Sequence, residues 1–277
     1  MRKILLGTIA LVASASGTAM AADLPPRGPI YPKAPPPVVS TWTGLYFGGH
    51  LGGGWGQKIF KEPPGTITSG GGNTITVTGM TDADGPVSGF LGGAQVGFNL
   101  QLSPRWVGGI EADVSGANIN GSFPCFNGIA LIKGEPSSDS CSAQSKTLGT
   151  IVARFGPTVG NAWVYLLGGG AWIRDHYHDS YFFPDRYGDF VVGYSASETR
   201  WGWTVGGGIE YAIDANWSAK VQYNYMDFGT KRLTFNAPGG DPAGDCPCSY
   251  TEDISQRIHT VKVGLNYRWA NSVVAGY

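Results

Sequence analysis

Apolar and polar residues alternate with a period of two along most of the chain after residue 41. This alternation is typical of β-strands, because successive side chains of an extended strand point to opposite faces. In the last such stretch, Val261, Val263 and Leu265 alternate with Lys262 and Asn266. The pattern predicts eight strand segments: Trp42–Gly56, Val87–Gln101, Trp106–Gly116, Lys146–Pro157, Trp163–Ile173, Thr199–Tyr211, Trp217–Phe228 and Arg257–Trp269. The fifth segment is apolar on both faces, so the sequence leaves its register open.

The connections between the segments alternate in length. The short ones are Leu102–Arg105, Thr158–Ala162 and Ala212–Asn216, and the long ones are Gln57–Pro86, Ala117–Ser145, Arg174–Glu198 and Gly229–Gln256. Loops beyond about 15 residues are uncommon in compact domains. In an up-and-down meander the long connections all fall at one end, as in outer-membrane barrels. The sequence therefore predicts an all-β fold: an eight-stranded antiparallel up-and-down transmembrane β-barrel with short periplasmic turns and four long outer loops.

Tryptophan residues occur at both ends of the predicted strands. Five are at the short-turn end and three at the long-loop end: Trp42, Trp106, Trp163, Trp217 and Trp269, then Trp55, Trp172 and Trp201. Two aromatic rows at opposite ends are typical of the interfacial girdles of a membrane barrel. A soluble barrel would instead turn its apolar face inward. We expect all eight side chains to belong to the two girdles.

The face opposite the apolar one carries six charged residues, namely Glu111, Asp113, Arg154, Glu210, Lys220 and Lys262. This face lines the lumen if the apolar face contacts lipid. Adjacent strands bring Glu111 and Asp113 beside Arg154, and Glu210 opposite Lys220, which predicts cross-strand pairing. An eight-stranded barrel has room inside for side chains and little else. A lumenal salt-bridge network is the favoured interpretation, and a narrow conducting path along the same charges is the alternative.

The composition excludes several classes of protein. Charged residues make up 14% of the chain, against about 25% in ordinary proteins, and 44 of 277 residues are glycine. Hydrophobic types reach 42%, which excludes a disordered, highly charged chain. The formal net charge of −1 gives no sign of a nucleic-acid partner. No run of 18 uninterrupted apolar residues occurs, so helical membrane spans are excluded.

The first 41 residues have the features of an export signal followed by a tether. Arg2 and Lys3 precede the apolar run Ile4–Val12, and small residues end at Ala21. This arrangement predicts a cleaved signal peptide over residues 1–21. The proline-rich residues 22–41 predict an extended periplasmic tether. The barrel then covers residues 42–269, and residues 270–277 form a C-terminal tail.

Several stretches resemble a known family: Trp42–Tyr46, Gly202–Tyr211, Asn216–Lys220, Asp227–Gly229 and Thr260–Tyr267. The chain resembles the alphaproteobacterial porin-like small outer-membrane β-barrels over essentially its whole mature length. The resemblance implies an OmpA-type eight-stranded barrel in the outer membrane of a Gram-negative bacterium, inserted by the barrel-assembly machinery. Members are described as surface antigens, porin-like proteins or ligand binders, and share no catalytic residues. The chain departs from the family at its C-terminus, because the last predicted strand ends at Trp269 and residues 270–277 follow it. The terminal aromatic residue that the assembly machinery recognises is therefore either Tyr277 or displaced from the end of the chain.

Four cysteines lie in the long connections, Cys125 and Cys141 in the second and Cys246 and Cys248 in the fourth. Cysteines in an exported protein predict disulfides, here with three connectivities. A bridge between Cys125 and Cys141 would stabilise the protein by about 3 kcal/mol. A direct bridge between Cys246 and Cys248 would be strained, and bridges between the two loops avoid that strain. Zinc is less favoured, because the Cys-Pro-Cys spacing is tighter than usual.

The histidines give no strong sign of chemistry. We expect His50 to face the lumen as a hydrogen-bonded side chain rather than as a ligand or proton donor. His176 and His178 lie beside Asp175 and Asp179, where a metal or haem-like ligand is the alternative to ordinary surface polarity. No nucleophile elbow, H-E-x-x-H pattern or P-loop occurs. We therefore expect neither catalysis nor a cofactor or metal.

The sequence thus predicts an outer-membrane β-barrel protein with a structural and surface-interaction role. The alternatives are a narrow passive diffusion channel and a loop-borne receptor for haem or a host surface. A channel needs a continuous wet path past the lumenal charges, and a receptor needs ordered loops, which disulfides would favour. The expected partners are outer-membrane lipid, the barrel-assembly machinery and an environmental or host ligand at the outer loops, with no nucleic acid.

Overall fold

The computed structural model describes residues 41–61, 65–68, 74–77, 83–124, 131–132, 135–136, 138–183, 190–236 and 249–269. These residues form twelve strands: β1 (Gly44–Lys61), β2 (Gly65–Thr68), β3 (Thr74–Val77), β4 (Ala83–Ser103), β5 (Trp106–Phe123), β6 (Leu131–Ile132), β7 (Glu135–Pro136), β8 (Ser138–Val159), β9 (Ala162–Phe183), β10 (Phe190–Ala212), β11 (Trp217–Asn236) and β12 (Ser249–Arg268). The predicted signal peptide, tether and tail lie outside the described residues.

Eight of these strands form one closed antiparallel barrel. Its order is β1-β12-β11-β10-β9-β8-β5-β4, which is an up-and-down meander closed by pairing between β1 and β12. The remaining strands form two small hairpins, β2-β3 and β6-β7. One short turn contains Gly160, whose φ of 58° lies in the left-handed region that favours glycine. The predicted eight-stranded barrel is confirmed.

Side chains alternate between the outer wall and the lumen of the barrel, as the sequence predicts. Val96 and Val263 are more than half exposed on the outer wall, whereas Gln95 and Lys262 are buried inside. The structure also fixes the register of the fifth segment: Trp163, Tyr165 and Leu167 point inward, and Val164 and Leu166 point outward. A strand that is apolar on both faces has the same sequence pattern in either register. Only the closed barrel therefore shows which of its faces points inward.

The apolar outer belt has the height of a bilayer core. On β10 it extends from Tyr211 to Trp201, with Ile209, Val205 and Trp203 exposed between them. Ten residue steps span about 33 Å along a strand, or about 25 Å along the axis at the tilt of small barrels. An outer-membrane belt is about 25 Å tall. Within the described residues, no helix is long and apolar enough to cross a membrane.

Six of the eight predicted girdle tryptophans face outward and two do not. Trp106, Trp217, Trp269, Trp55 and Trp201 are exposed on the outer wall, and Trp172 is half-buried on the same face. The prediction is wrong for Trp42 and Trp163, which are buried inside the barrel with ring centroids 5.7 Å apart. There Trp42 lies 4.9 Å from the Arg268 guanidinium, and Trp163 lies 4.8 Å from that of Arg154. These cation–π contacts favour the inward position.

The barrel strands continue far beyond the apolar belt. On β10, the eleven steps from Trp201 to Phe190 add about 36 Å of strand. The predicted loop boundaries are therefore wrong, because much of each long connection is strand. The outer face of this extension carries mainly Ser, Thr, Asn and charged residues, so it lacks the apolar alternation of a lipid-facing strand. We call this part the outer tube.

The outer tube has an apolar core of its own. The larger members of the cluster are Phe60, Leu91, Ile119, Phe123, Leu148, Ile173, Tyr177, Tyr194, Met226, Phe228, Leu233, Phe235, Ile254 and Ile258. Gly229, with φ of 64°, lies in a bulge of β11 that shifts the inward face by one residue. This shift lets Leu233 and Phe235 join the core after Phe228.

Candidate functional site in the barrel lumen

Arg154 lies at the centre of the lumen within the membrane belt. Its guanidinium is fully buried, 3.2 Å from Glu111 and 3.3 Å from Glu210. It also donates hydrogen bonds to Asn99 at 2.9 Å and to the Tyr46 hydroxyl. A buried cation needs such ion pairs and hydrogen bonds to offset the cost of its desolvation. The five side chains come from five different strands and meet in the middle of the barrel.

The pairing of Lys220 differs from the sequence prediction. Lys220 lies opposite Glu210 in the register of β10 and β11. Its ammonium nevertheless donates to both oxygens of Glu111 on β5 at 2.7 Å, across the lumen. Glu210 pairs with Arg154 and accepts hydrogen bonds from Ser218 at 2.6 Å and Asn266 at 2.9 Å. The two cations and two carboxylates form a neutral group, which we call the central quartet.

A second set of polar contacts lies in the lumen between the central quartet and the outer tube. Lys262 pairs with Asp113 at 2.6 Å, and Thr150 donates to the same carboxylate. His50 contacts Ser115 through Nε2 at 2.7 Å and Gln95 through Nδ1. As the sequence predicts, His50 faces the lumen as a hydrogen-bonded residue.

An apolar cluster lies beside the central quartet, with most of its members toward the short-turn end of the barrel. The cluster comprises Trp42, Val107, Val152, Trp163, Tyr165, Leu167 and Ala212. Tyr165 also donates a hydrogen bond to Gln222 at 2.9 Å, which links this cluster to the polar network. The available sequence signal for the cluster was that Trp163–Ile173 is apolar on its inner face as well as on its exposed outer face.

Two lumenal tyrosines pack over glycines on neighbouring strands. Tyr46 lies opposite Gly97 and Tyr165 opposite Gly208. A Cβ at Gly97 would lie 2.2 Å from the Tyr46 hydroxyl oxygen, and one at Gly208 would lie 2.6 Å from that of Tyr165. Glycine is therefore required for both rings to lie flat against the wall beside Arg154.

A third charged cluster lies inside the outer tube and was missed by sequence reasoning. Lys58 pairs with Asp175 at 2.9 Å, and Arg200 pairs with Glu198. Tyr177 donates to both carboxylates, at 3.3 and 3.4 Å. Burial lowers the pKa of Lys58, and the Asp175 carboxylate opposes that shift. The sequence signal for this cluster was that the two-residue period of the first strand continues past Trp55, which puts Lys58 and Phe60 on the inner face.

The predicted His and Asp group does not converge on one site. His176 and His178 lie on the outer face of β9, whereas Asp175 and Asp179 are buried on its inner face. The two histidines share one face of the strand and the two carboxylates share the other, because alternate residues of a strand point to opposite faces. Across the described residues, no group of three or more His, Cys, Asp or Glu side chains is placed to hold a metal.

Of the four cysteines, the structure describes Cys141. It lies in β8 rather than in a loop, is buried in the core of the outer tube and is disulfide-bonded. Cys125, Cys246 and Cys248 lie outside the described residues, so the connectivity stays a prediction.

A closed antiparallel barrel with an apolar belt about 25 Å tall, outward tryptophan rows and a charged lumen defines the class of outer-membrane β-barrels. The family model described as "Outer membrane protein beta-barrel domain" matches residues 8–269. The chain belongs to this outer-membrane β-barrel family, and it is a protein of the outer membrane.

Similar proteins carry related descriptions. The chain is 32% identical over 279 residues to the 31 kDa outer-membrane immunogenic proteins of Brucella melitensis and Brucella suis, covering 97% of this chain and 100% of each relative. Among solved structures, it is similar to the outer membrane protein OprG from Pseudomonas aeruginosa, with 13% identity and a TM-score of 0.46. That match covers 84% of this chain and 99% of OprG.

Proposed function

We propose that this protein is a closed barrel with a structural and surface-interaction role rather than a transport role. The observation that carries the proposal is the buried guanidinium of Arg154, which contacts Glu111, Glu210, Asn99 and Tyr46 across the lumen. Apolar clusters lie on either side of this polar layer. Ions would have to displace paired charges and cross two apolar layers, which carries a large desolvation cost. The narrow-channel alternative is correspondingly disfavoured.

The experiment is single-channel recording of the refolded mature chain in a planar bilayer. Folding is checked first by the heat-dependent gel mobility of the barrel. We expect no discrete conductance steps from the folded protein. Steps that change when Arg154 or Glu111 is neutralised, but not when the exposed Arg257 is replaced by Gln, would make the protein a channel.

The outer tube supports the surface-interaction part of the proposal. Its packed core and its buried ion pairs support the described strands beyond the apolar belt. The relatives in Brucella are named as immunogenic outer-membrane proteins, which fits a protein with exposed outer parts. A ligand at these connections, environmental or from a host, is the corresponding partner. Exchange of the outer connections for short turns should abolish binding of such a ligand while leaving the barrel folded.

We infer that the role is non-catalytic. The names of the relatives support this inference, and the lumenal carboxylates Glu111, Asp113 and Glu210 are paired with buried cations instead of facing an open cleft. Hydrolysis of a mixed peptide substrate by the folded barrel, lost when one of these carboxylates is neutralised, would contradict it.

Lipid and the barrel-assembly machinery are the proposed partners of the membrane-spanning part. The exposed apolar belt fits the hydrocarbon of the bilayer. Depletion of the assembly machinery should lower the amount of folded barrel in the outer membrane.

A further inference from the structure

A group of basic residues lies on the outer wall of the barrel immediately outside the belt. Arg174 and His176 follow Trp172 on the outer face of β9, and Arg174 is about 7 Å along the strand from that tryptophan. Trp172 lies opposite Trp201 in the outer aromatic row. Arg174 and His176 are therefore at the level of the lipid headgroups of the outer leaflet.

Lys146 joins this group because of an irregularity in β8. The register of β8 against β9 shifts between Ser145, opposite Asp175, and Thr147, opposite Arg174. Lys146 occupies the bulge and is exposed, whereas Ser145 is fully buried. A bulge re-aims the side chain it carries. Here it places a second cation beside Arg174, and we call Lys146, Arg174 and His176 the outer cationic patch.

The positive charge of the patch is not balanced on its own wall. Burial and the charges of Lys146 and Arg174 hold the pKa of His176 below its ordinary value, and the inward Asp175 opposes this shift only in part. Outside the belt, the outward side chains described for β5, β8, β9 and β10 include no Asp or Glu. Adjacent like charges destabilise a sheet.

The wall of the outer tube formed by β11 and β12 shows a contrasting arrangement of charges. Arg232 on β11 makes two hydrogen bonds of 2.8 Å to Asp253 on β12. Arg257 lies 3.4 Å from Asp227. Exposed cations on that wall are therefore compensated by acids of the protein itself, and those of the patch are not.

We propose that the outer cationic patch binds the phosphate groups of an anionic glycolipid of the outer leaflet. Charge complementarity and the position beside the outer aromatic row support this occupant, because basic clusters next to membrane-spanning segments bind anionic headgroups. Ser197 and Thr199 of β10 and Gln144 of β8 lie opposite His176 and Arg174 in register and add neutral donors.

The test uses the refolded mature chain in detergent and measures binding of diphosphorylated lipid A by native mass spectrometry. The variant Lys146→Gln/Arg174→Gln removes the two cations, and Arg232→Gln/Arg257→Gln is the matched control on the compensated wall. We expect the first variant to bind about 10- to 30-fold more weakly, from about 1 kcal/mol per cation near a headgroup layer, and the control to bind as the unchanged protein does. Heat-dependent gel mobility verifies that each variant is folded.

Two further ligands distinguish the source of the phosphate. Dephosphorylated lipid A should bind the unchanged protein as weakly as lipid A binds the patch variant. Millimolar inorganic phosphate should not displace lipid A. Equal binding of the phosphorylated and dephosphorylated lipids, equal loss in both variants, or full displacement by inorganic phosphate would overturn the proposal.

Discussion

Replacement of Arg154 by Met tests whether the lumen is held together by its charges. Met keeps much of the aliphatic volume and removes the cation from the central quartet. Of the two cations and two carboxylates, Lys220 then remains with Glu111 and Glu210, which leaves one uncompensated negative charge. Glu210 keeps its hydrogen bonds from Ser218 and Asn266, and Glu111 keeps its contact with Lys220.

The expected cost follows from burial of the pair. Breaking a buried ion pair by removing one partner costs about 3 to 5 kcal/mol, because the other charge stays buried without compensation. The variant also loses the contact of Arg154 with the Trp163 ring at 4.8 Å, worth about 1 kcal/mol. Adding Glu210→Gln removes the excess negative charge. We therefore expect Arg154→Met/Glu210→Gln to recover at least about 2 kcal/mol of the loss.

The assay is equilibrium unfolding by urea in lipid vesicles, followed by tryptophan fluorescence and heat-dependent gel mobility. Arg257→Met is the matched control, because Arg257 is largely exposed in its pair with Asp227, and its removal should cost less than about 1 kcal/mol. A loss below about 1 kcal/mol for Arg154→Met would refute the reasoning. So would a double variant no more stable than the single one.

Three other predictions concern the belt, a glycine and the outer tube. Val263→Arg places a cation on the lipid-facing wall near mid-belt and should cost about 2 to 4 kcal/mol in vesicle unfolding. Gly97→Val should cost about 1 to 3 kcal/mol in the same assay, because its side chain overlaps Tyr46. The hydrogen bond from Arg232 lowers the pKa of Asp253, so this carboxylate stabilises the fold above its unfolded pKa of about 3.9, and the contribution is lost as the pH falls through the lower folded value. Asp253→Asn should flatten the dependence of stability on pH as the pH falls below about 4.

The controls for these predictions lie in the same chain. Arg at the exposed outer-tube position Thr251 should leave stability nearly unchanged, and a loss as large as that of Val263→Arg would argue against the assignment of the belt. Gly160→Ala is the control for Gly97→Val. It changes a glycine whose added Cβ would have no atom within 4 Å, so it measures the cost of the left-handed backbone conformation without steric overlap. An unchanged pH profile in Asp253→Asn would show that the pair contributes nothing.

The sequence by itself determined the faces of seven of the eight barrel segments. Period-two alternation is a local property of an extended chain, so the outward positions of Val96 and Val263 and the inward positions of Glu111 and Arg154 follow from it. The alternation of short and long connections likewise determined the up-and-down order of the strands.

Only the tertiary structure decided which charges pair and how far the strands extend. Lys220 reaches Glu111 across the lumen instead of Glu210 beside it, because closure of the barrel brings distant strands within side-chain reach. Trp42 and Trp163 point inward, where their rings contact the guanidinium groups of Arg268 and Arg154. The sequence pattern contains no information on that packing. The outer tube resembles loops in sequence, since water rather than lipid surrounds it and its outer face carries no apolar pattern. Its strands are held instead by an internal core and buried ion pairs, which exist only once the barrel has closed.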